Sequence, residues 1–244
     1  MEAMTNQTSE PRRPTRRPRR LGLSLLLGLS LLAVLGSGCL LSEIRERFAV
    51  DIVVEGQAWD EESVRTIADA LGRLPEHVVK RLGNRYYGRL QVLSNPDGVA
   101  LDGWQPFSNG ANFYSNYNGR NELVLVPNQG LRTILHELGH AYQMREVPSN
   151  RYAWVFFQTE MREFMAATGW ELLSGDGEVA AARSVSELRF SYDGPQLWEN
   201  LSNPDPTEDY ANSFALYFSD PEELRELSSA RYEFMRDHVA TDAR

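Results

Sequence analysis

The chain has 244 residues, with 25 basic against 34 acidic side chains, four histidines and a single cysteine. Setting aside the six arginines and two glutamates before residue 39 leaves 19 basic and 32 acidic side chains, a balance that argues against nucleic acid as a partner. One cysteine excludes a disulfide within the chain, and the length beyond residue 39 suits one domain.

The first 38 residues read as a leader. Arg12, Arg13, Arg16, Arg17, Arg19 and Arg20 form a basic region, and residues 21–35 are an uncharged apolar run, short for a membrane span. Leu35-Gly36-Ser37-Gly38-Cys39 then leads small residues into the cysteine, an arrangement that resembles a bacterial lipoprotein signal. The resemblance implies a leader over 1–38, a lipidated Cys39 holding the protein to a membrane of the cell envelope, a tether over 39–47, and a folded domain over 48–244. A plain secretory signal cleaved near Ser37 is the alternative.

Residues 48–54, rich in valine and isoleucine, predict a short strand. Residues 61–74 predict a helix with Val64, Ile67, Ala68 and Leu71 on its apolar face, interrupted by Pro75, with a further turn or two over 76–82. His77 falls in that turn as a surface residue without a role. Residues 88–94 predict a second strand, and 111–117 with 121–126 a hairpin turned through Asn118-Gly119. Asn112, Tyr114 and Asn116 alternate with Phe113 and Ser115, so one set faces any cleft beside the hairpin. Such an edge offers an extended peptide a place to add as a further strand; the plainer reading is a hairpin with one wet face.

Residues 133–142, Thr-Ile-Leu-His-Glu-Leu-Gly-His-Ala-Tyr, carry the most information. His136 and His140, four apart on a helix, project from one face and can reach one ion. Glu137 stands beside them, and the H-E-x-x-H pattern supplies two imidazole ligands for zinc and a general base for the water that zinc acidifies. Ile134, Leu135, Leu138, Ala141 and Tyr142 give this helix an apolar side. Gly139 costs about 1 kcal/mol against alanine in a helix interior, so close approach of another backbone or of the metal is expected there.

Residues 152–167 predict an amphipathic helix with Trp154, Phe157, Met161, Phe164 and Met165 in the core. Residues 174–178 and 191–206 predict loops, and 208–218 a helix. Asp220-Pro221 opens the last helical stretch, with Asp220 as N-cap and Glu223 in the capping-box place. Helices and strands in this order suit an α+β domain.

Two histidines need a third protein ligand, with the fourth position left for water. Glu146 stands where one class of zincin has a histidine, and the only cysteine is Cys39, so a carboxylate must supply it. Glu208 is the candidate: Ala211 and Ala215 let its helix press against the histidine helix, and Asn212 is placed to hydrogen-bond a ligating imidazole. Its competing role is a capping box with Asp205. Asp209 is the neighbouring rival ligand, followed by Glu160, Glu163 and Glu171.

Together, His136-Glu137-Leu138-Gly139-His140 and Glu208-Asp209-Tyr210-Ala211-Asn212-Ser213-Phe214 resemble the gluzincin metallopeptidases, in particular the anthrax lethal factor-like domains, whose second motif reads roughly E-x-F-A-E-x-F. The resemblance runs from the hairpin to the last helix. It implies a zincin-like α+β fold, with a small mixed sheet and an edge hairpin packed on an active-site helix and a C-terminal glutamate helix. It also implies Zn2+ on His136, His140 and Glu208, Glu137 as general base, and hydrolysis of a peptide or protein substrate. Asn212 stands where the family has a second glutamate. The family's oxyanion-steadying tyrosine is replaced by Leu201, leaving Tyr192, Tyr210 and Tyr217 as substitutes, with Tyr192 taken as the catalytic one. Two other readings stand beside this: a non-catalytic zincin-fold lipoprotein that binds peptide or protein, and a structural zinc closed by His238.

Overall fold

In a computed structural model of the chain, which describes residues 40–48, 50–53, 59–94, 113–116, 119–194 and 205–242, short apolar segments assemble a small mixed sheet on one side of the histidine helix. The leader, Cys39, Asn112, Asn118 and Leu201 lie outside the described residues. The strands are β1 (Asp51–Ile52), β2 (Gln91–Ser94), β3 (Phe113–Ser115) and β4 (Glu122–Leu125). Their order is β1-β2-β4-β3, with β1, β2 and β4 parallel and β3 antiparallel to β4. Every residue of β4 is buried: Leu123 and Leu125 enter the main core, while Val124 meets Phe113 and Leu93 on the other face. Such two-sided burial suits an interior strand of a mixed sheet covered on both faces.

The hairpin of β3 and β4 forms in the expected place, but its connection is longer than two residues. The last pair of the register is Ser115 with Glu122. Side chains on either side of the connection tie it down: Asn121 takes the Tyr114 hydroxyl at 2.8 Å and donates to the Gly88 carbonyl at 3.0 Å, while Asn116 donates to the Val147 carbonyl at 3.1 Å.

Residues 40–48 are helical (α1), and the first strand shrinks to β1. Ile44 and Phe48, one turn apart and both buried, give this segment a helical face that outweighs the β propensity after it. α2 (Glu61–Arg73) follows, its N-cap Asp60 accepting from the Ser63 N–H at 2.7 Å, and then α3 (Glu76–Lys80). The expected helix over 152–167 is broken at Gln158, whose backbone is extended. A 3-10 segment, Tyr152–Phe157, buries Ala153, Val155 and Phe156, and α5 (Thr159–Thr168) buries Met161, Phe164 and Met165. Phe157 is left exposed, and the Arg162 side chain donates to the Phe156 carbonyl at 2.7 Å, which the break leaves without a helical partner.

Two segments expected as loops hold regular structure. A hairpin joins β5 (Trp170–Leu172) and β6 (Phe190–Tyr192), and α6 (Asp176–Ala181) lies between them. Strands of three residues carry too little alternation to be read from sequence. α7 (Pro206–Ser219), α8 (Pro221–Leu227) and α9 (Ser229–Phe234) complete the domain before a π-turn at Met235–Ala240. Asp220 caps α8 by accepting from the Glu223 N–H at 3.1 Å, with Pro221 opening the helix. The result is an α+β arrangement of a small sheet packed on helices, as expected of a zincin-like domain. Among the described residues, no helix is long and apolar enough to cross a membrane.

Candidate metal centre

The histidine helix is α4 (Leu131–Gln143), and it lies along α7. Gly139 explains how closely: a Cβ there would sit 3.1 Å from the Ala211 Cα, 3.2 Å from the Phe214 Cβ and 3.3 Å from the Ala211 carbonyl oxygen. The poor helix former is therefore matched to backbone approach, with Ala211 and Ala215 buried on the facing helix. Gly139→Ala gains about 1 kcal/mol of helix propensity and loses roughly 1–3 kcal/mol to overpacking. The expected result is a net loss of stability in urea unfolding, together with weaker metal retention as the two helices part; an unchanged midpoint would show that the contact yields freely.

This packing brings His136, His140 and Glu208 into one group, with one ligand atom from each within 4.8 Å of the others. The two Nε2 atoms are 3.1 Å apart, and each lies 3.4 Å from a different oxygen of the Glu208 carboxylate, which straddles the pair. Tetrahedral ligands at zinc bond lengths of 2.0–2.1 Å stand about 3.3–3.4 Å from one another, so the spacing fits a single small cation. The tautomers agree. His136 Nδ1 is 2.9 Å from the Asn212 amide oxygen, and His140 Nδ1 is 3.1 Å from that of Gln143. Those oxygens only accept, so each Nδ1 carries a proton, and Nε2 is the ring atom each histidine presents to the cleft. Two Nε2 atoms and a carboxylate converging in a half-buried cleft make a site for a positive charge. Burial opposes charge on His140, yet Glu208 and Glu137 push its pKa up to about 9. Burial likewise works against the Glu208 carboxylate, but the two imidazoles hold it well below the usual range.

The competing roles separate. Asp205 caps α7 by accepting from the Thr207 and Glu208 N–H groups, while the Glu208 side chain turns to the imidazoles. Asp209 points away into the core, where its carboxylate takes Arg231 at 2.7 and 2.8 Å and the Trp170 indole N–H at 2.8 Å. Glu160 pairs with Arg145 and Tyr210, Glu163 lies 3.4 Å from His238, and Glu171 accepts from Ser191 at 3.1 Å. His238 stacks on Phe234 and is not in the metal group, which among the described residues has no fourth His, Cys, Asp or Glu. His77 is half-buried and hydrogen-bonds the Val239 carbonyl at 2.8 Å, tying α3 to the C-terminal turn.

The ligand group opens on a cleft of about 400 Å3. Glu137 lines it, buried beside the histidines; burial pushes its carboxyl pKa up, against the pull of His140 and His136, and the Tyr114 backbone N–H hydrogen-bonds it. Phe113, Met144 and Tyr152 form an apolar wall, and Ser184, Val185 and Ser186 face it from the turn before β6. The Asn116 N–H donates to the Tyr152 hydroxyl at 3.0 Å. Two N–H groups of the β3 edge and its extension are thus already taken, so a peptide laid there as a further strand has to displace Glu137 or Tyr152.

The three tyrosines expected as candidates lie as follows. The Tyr192 hydroxyl accepts from Arg231 at 2.8 Å, and Tyr192 is not among the residues lining the cleft. Tyr210 donates to Glu160, and Tyr217 packs against Phe218 and Tyr232. Among the described residues, the tyrosines that line the cleft are Tyr114 and Tyr152. Tyr152 had no sequence signal beyond its aromatic character, because the turn that presents it is set by tertiary packing. Gln143 was also missed, although its position three residues after His140 on the same helix was a usable signal.

No protein-family model and no curated protein matches this chain. The assignment therefore rests on the site itself, a His-Glu-x-x-His helix with a distal glutamate, which is a generic zincin-type metal-binding arrangement.

Proposed function

We propose that the protein is a zinc-dependent hydrolase of peptide bonds, with His136, His140 and Glu208 holding the metal. The observation that carries this reading is the place of Glu137: a buried carboxylate with a raised pKa, in the same cleft as three converging ligands. Zinc bound there supplies a Lewis acid and a water of lowered pKa. Glu137, raised toward neutrality, is suited to take a proton from the attacking water and return it to the leaving amine. Asn212 and Gln143 keep both imidazoles in the tautomer that frees Nε2. The Tyr152 hydroxyl, which accepts from the Asn116 N–H and donates to Ser115 Oγ at 3.4 Å, stands on the cleft wall as a second candidate, alongside Tyr192, to steady the developing oxyanion by turning its proton inward. With the lipoprotein-type leader, the substrate is a peptide or protein met at the cell envelope, with the enzyme tethered through Cys39.

Glu137→Gln is the test. The variant is expected to hold zinc as the wild type does and to lose turnover of a fluorogenic peptide library. Full activity in the variant removes Glu137 as the base. A wild type that binds zinc and cleaves no peptide leaves the binding-module reading in its place.

A further inference from the structure

Gln143 ends α4 three residues after His140 and is 2% exposed, so its amide must find partners inside the protein. It finds two of a particular kind. Its Nε2 donates at 3.1 Å to the carbonyl of Thr207, and its Oε1 lies 3.1 Å from His140 Nδ1. The Thr207 oxygen can only accept, so the NH2 end is forced toward α7 and the oxygen end toward the histidine. Thr207 immediately precedes Glu208. One planar amide therefore spans from a ligand on α4 to the chain next to a ligand on α7.

We propose that Gln143 is a positioning residue that couples His140 to Glu208, fixing the tautomer of the first and the approach of the second through the Thr207 carbonyl. The proposal rests on the reading of the site as a metal centre. Asn212 serves His136 in the first of these two ways and also ties α7 to α4, but from one turn beyond Glu208 rather than through the residue next to it. Without the Gln143 amide, His140 is free to carry its proton on Nε2, the atom the metal needs. The buried Thr207 carbonyl also loses its tie to α4, so the chain next to Glu208 is held to the histidine helix by one hydrogen bond fewer.

The test compares wild type with Gln143→Met, which keeps the length and removes both hydrogen bonds. Zn2+ affinity is read by competition with a chromophoric chelator, the visible spectrum of the Co2+-loaded chain reports ligand geometry, and the thermal midpoint of the metal-free chain reports stability. Loss of a supporting partner of a metal ligand costs about 10–100-fold in affinity, and that loss with an altered Co2+ spectrum is expected here. A lowered midpoint with wild-type Zn2+ affinity and an unchanged Co2+ spectrum overturns the proposal and leaves the metal site standing. A folded wild type that binds no Zn2+ removes the metal reading and this proposal with it. If Gln143→Met does not fold, Gln143→Asn decides: one methylene shorter, it cannot span both partners and is expected to show the same loss, while wild-type affinity in it overturns the coupling.

Discussion

Glu208→Ala is expected to strip the protein of its metal while leaving the fold in place. Wild-type residues 40–244, purified and desalted, should carry about one zinc per chain by plasma mass spectrometry, and the variant only a small fraction of that. The loss should exceed the about 10–100-fold that a missing supporting hydrogen bond costs, because a direct ligand is removed rather than a group behind it. The fold should survive for local reasons. Asp205, not the Glu208 side chain, caps α7, and alanine is the best helix former. What is lost from the helix is one acidic group in its first turn, worth roughly 0.3–1 kcal/mol. Circular dichroism of the variant should therefore match the wild type. Equal zinc in both proteins removes Glu208 as a ligand, and a folded wild type without zinc leaves the cleft as a binding surface.

What could be read from the sequence was whatever depends on spacing along one helix. His136 and His140 reach one point because they are four apart, and Asn212 reaches His136 from the helix that also carries Glu208. Gly139 was legible as a close approach because glycine in a helix interior has a cost that something must offset, and the facing backbone of Ala211 is that something. The choice between Glu208 as cap and Glu208 as ligand was not legible, since both roles ask for a glutamate at the same place; only the arrival of α4 against α7 separates them. The partner of Tyr192 was not legible for a related reason. Its phenol is drawn to Arg231, a residue 39 positions later in the chain, and no local pattern records that pairing. The break at Gln158 and the β5–β6 hairpin belong to the same class, because tertiary contacts decide them. Tyr152 reaches the cleft wall only because the chain turns at 152–157.

The same buried network yields the second large effect. Arg231 and Asp209 have side chains 3% and 0% exposed, and the guanidinium meets the carboxylate with two hydrogen bonds while Trp170 and Tyr192 take up remaining capacity. Arg231→Met leaves the Asp209 charge in the core with the Trp170 N–H as its side-chain donor. Breaking a buried pair in this way costs about 3–5 kcal/mol. At about 2–4 °C per kcal/mol for a domain of this size, the thermal midpoint should fall by roughly 6–20 °C. The cause is the stranded charge rather than lost packing, and this has its own signature. Adding Asp209→Asn to Arg231→Met removes the charge while keeping an acceptor for Trp170, so the double variant should be more stable than Arg231→Met alone. Urea unfolding of the two variants beside wild type measures both quantities. A loss under about 1 kcal/mol in the single variant, the scale of an exposed pair, would mean that water reaches the carboxylate. A double variant no more stable than the single one would assign the loss to packing. The consequence for the site is direct, because Asp209 is the residue after Glu208: the anchor that holds one carboxylate inward sets the helix turn from which the other faces the histidines.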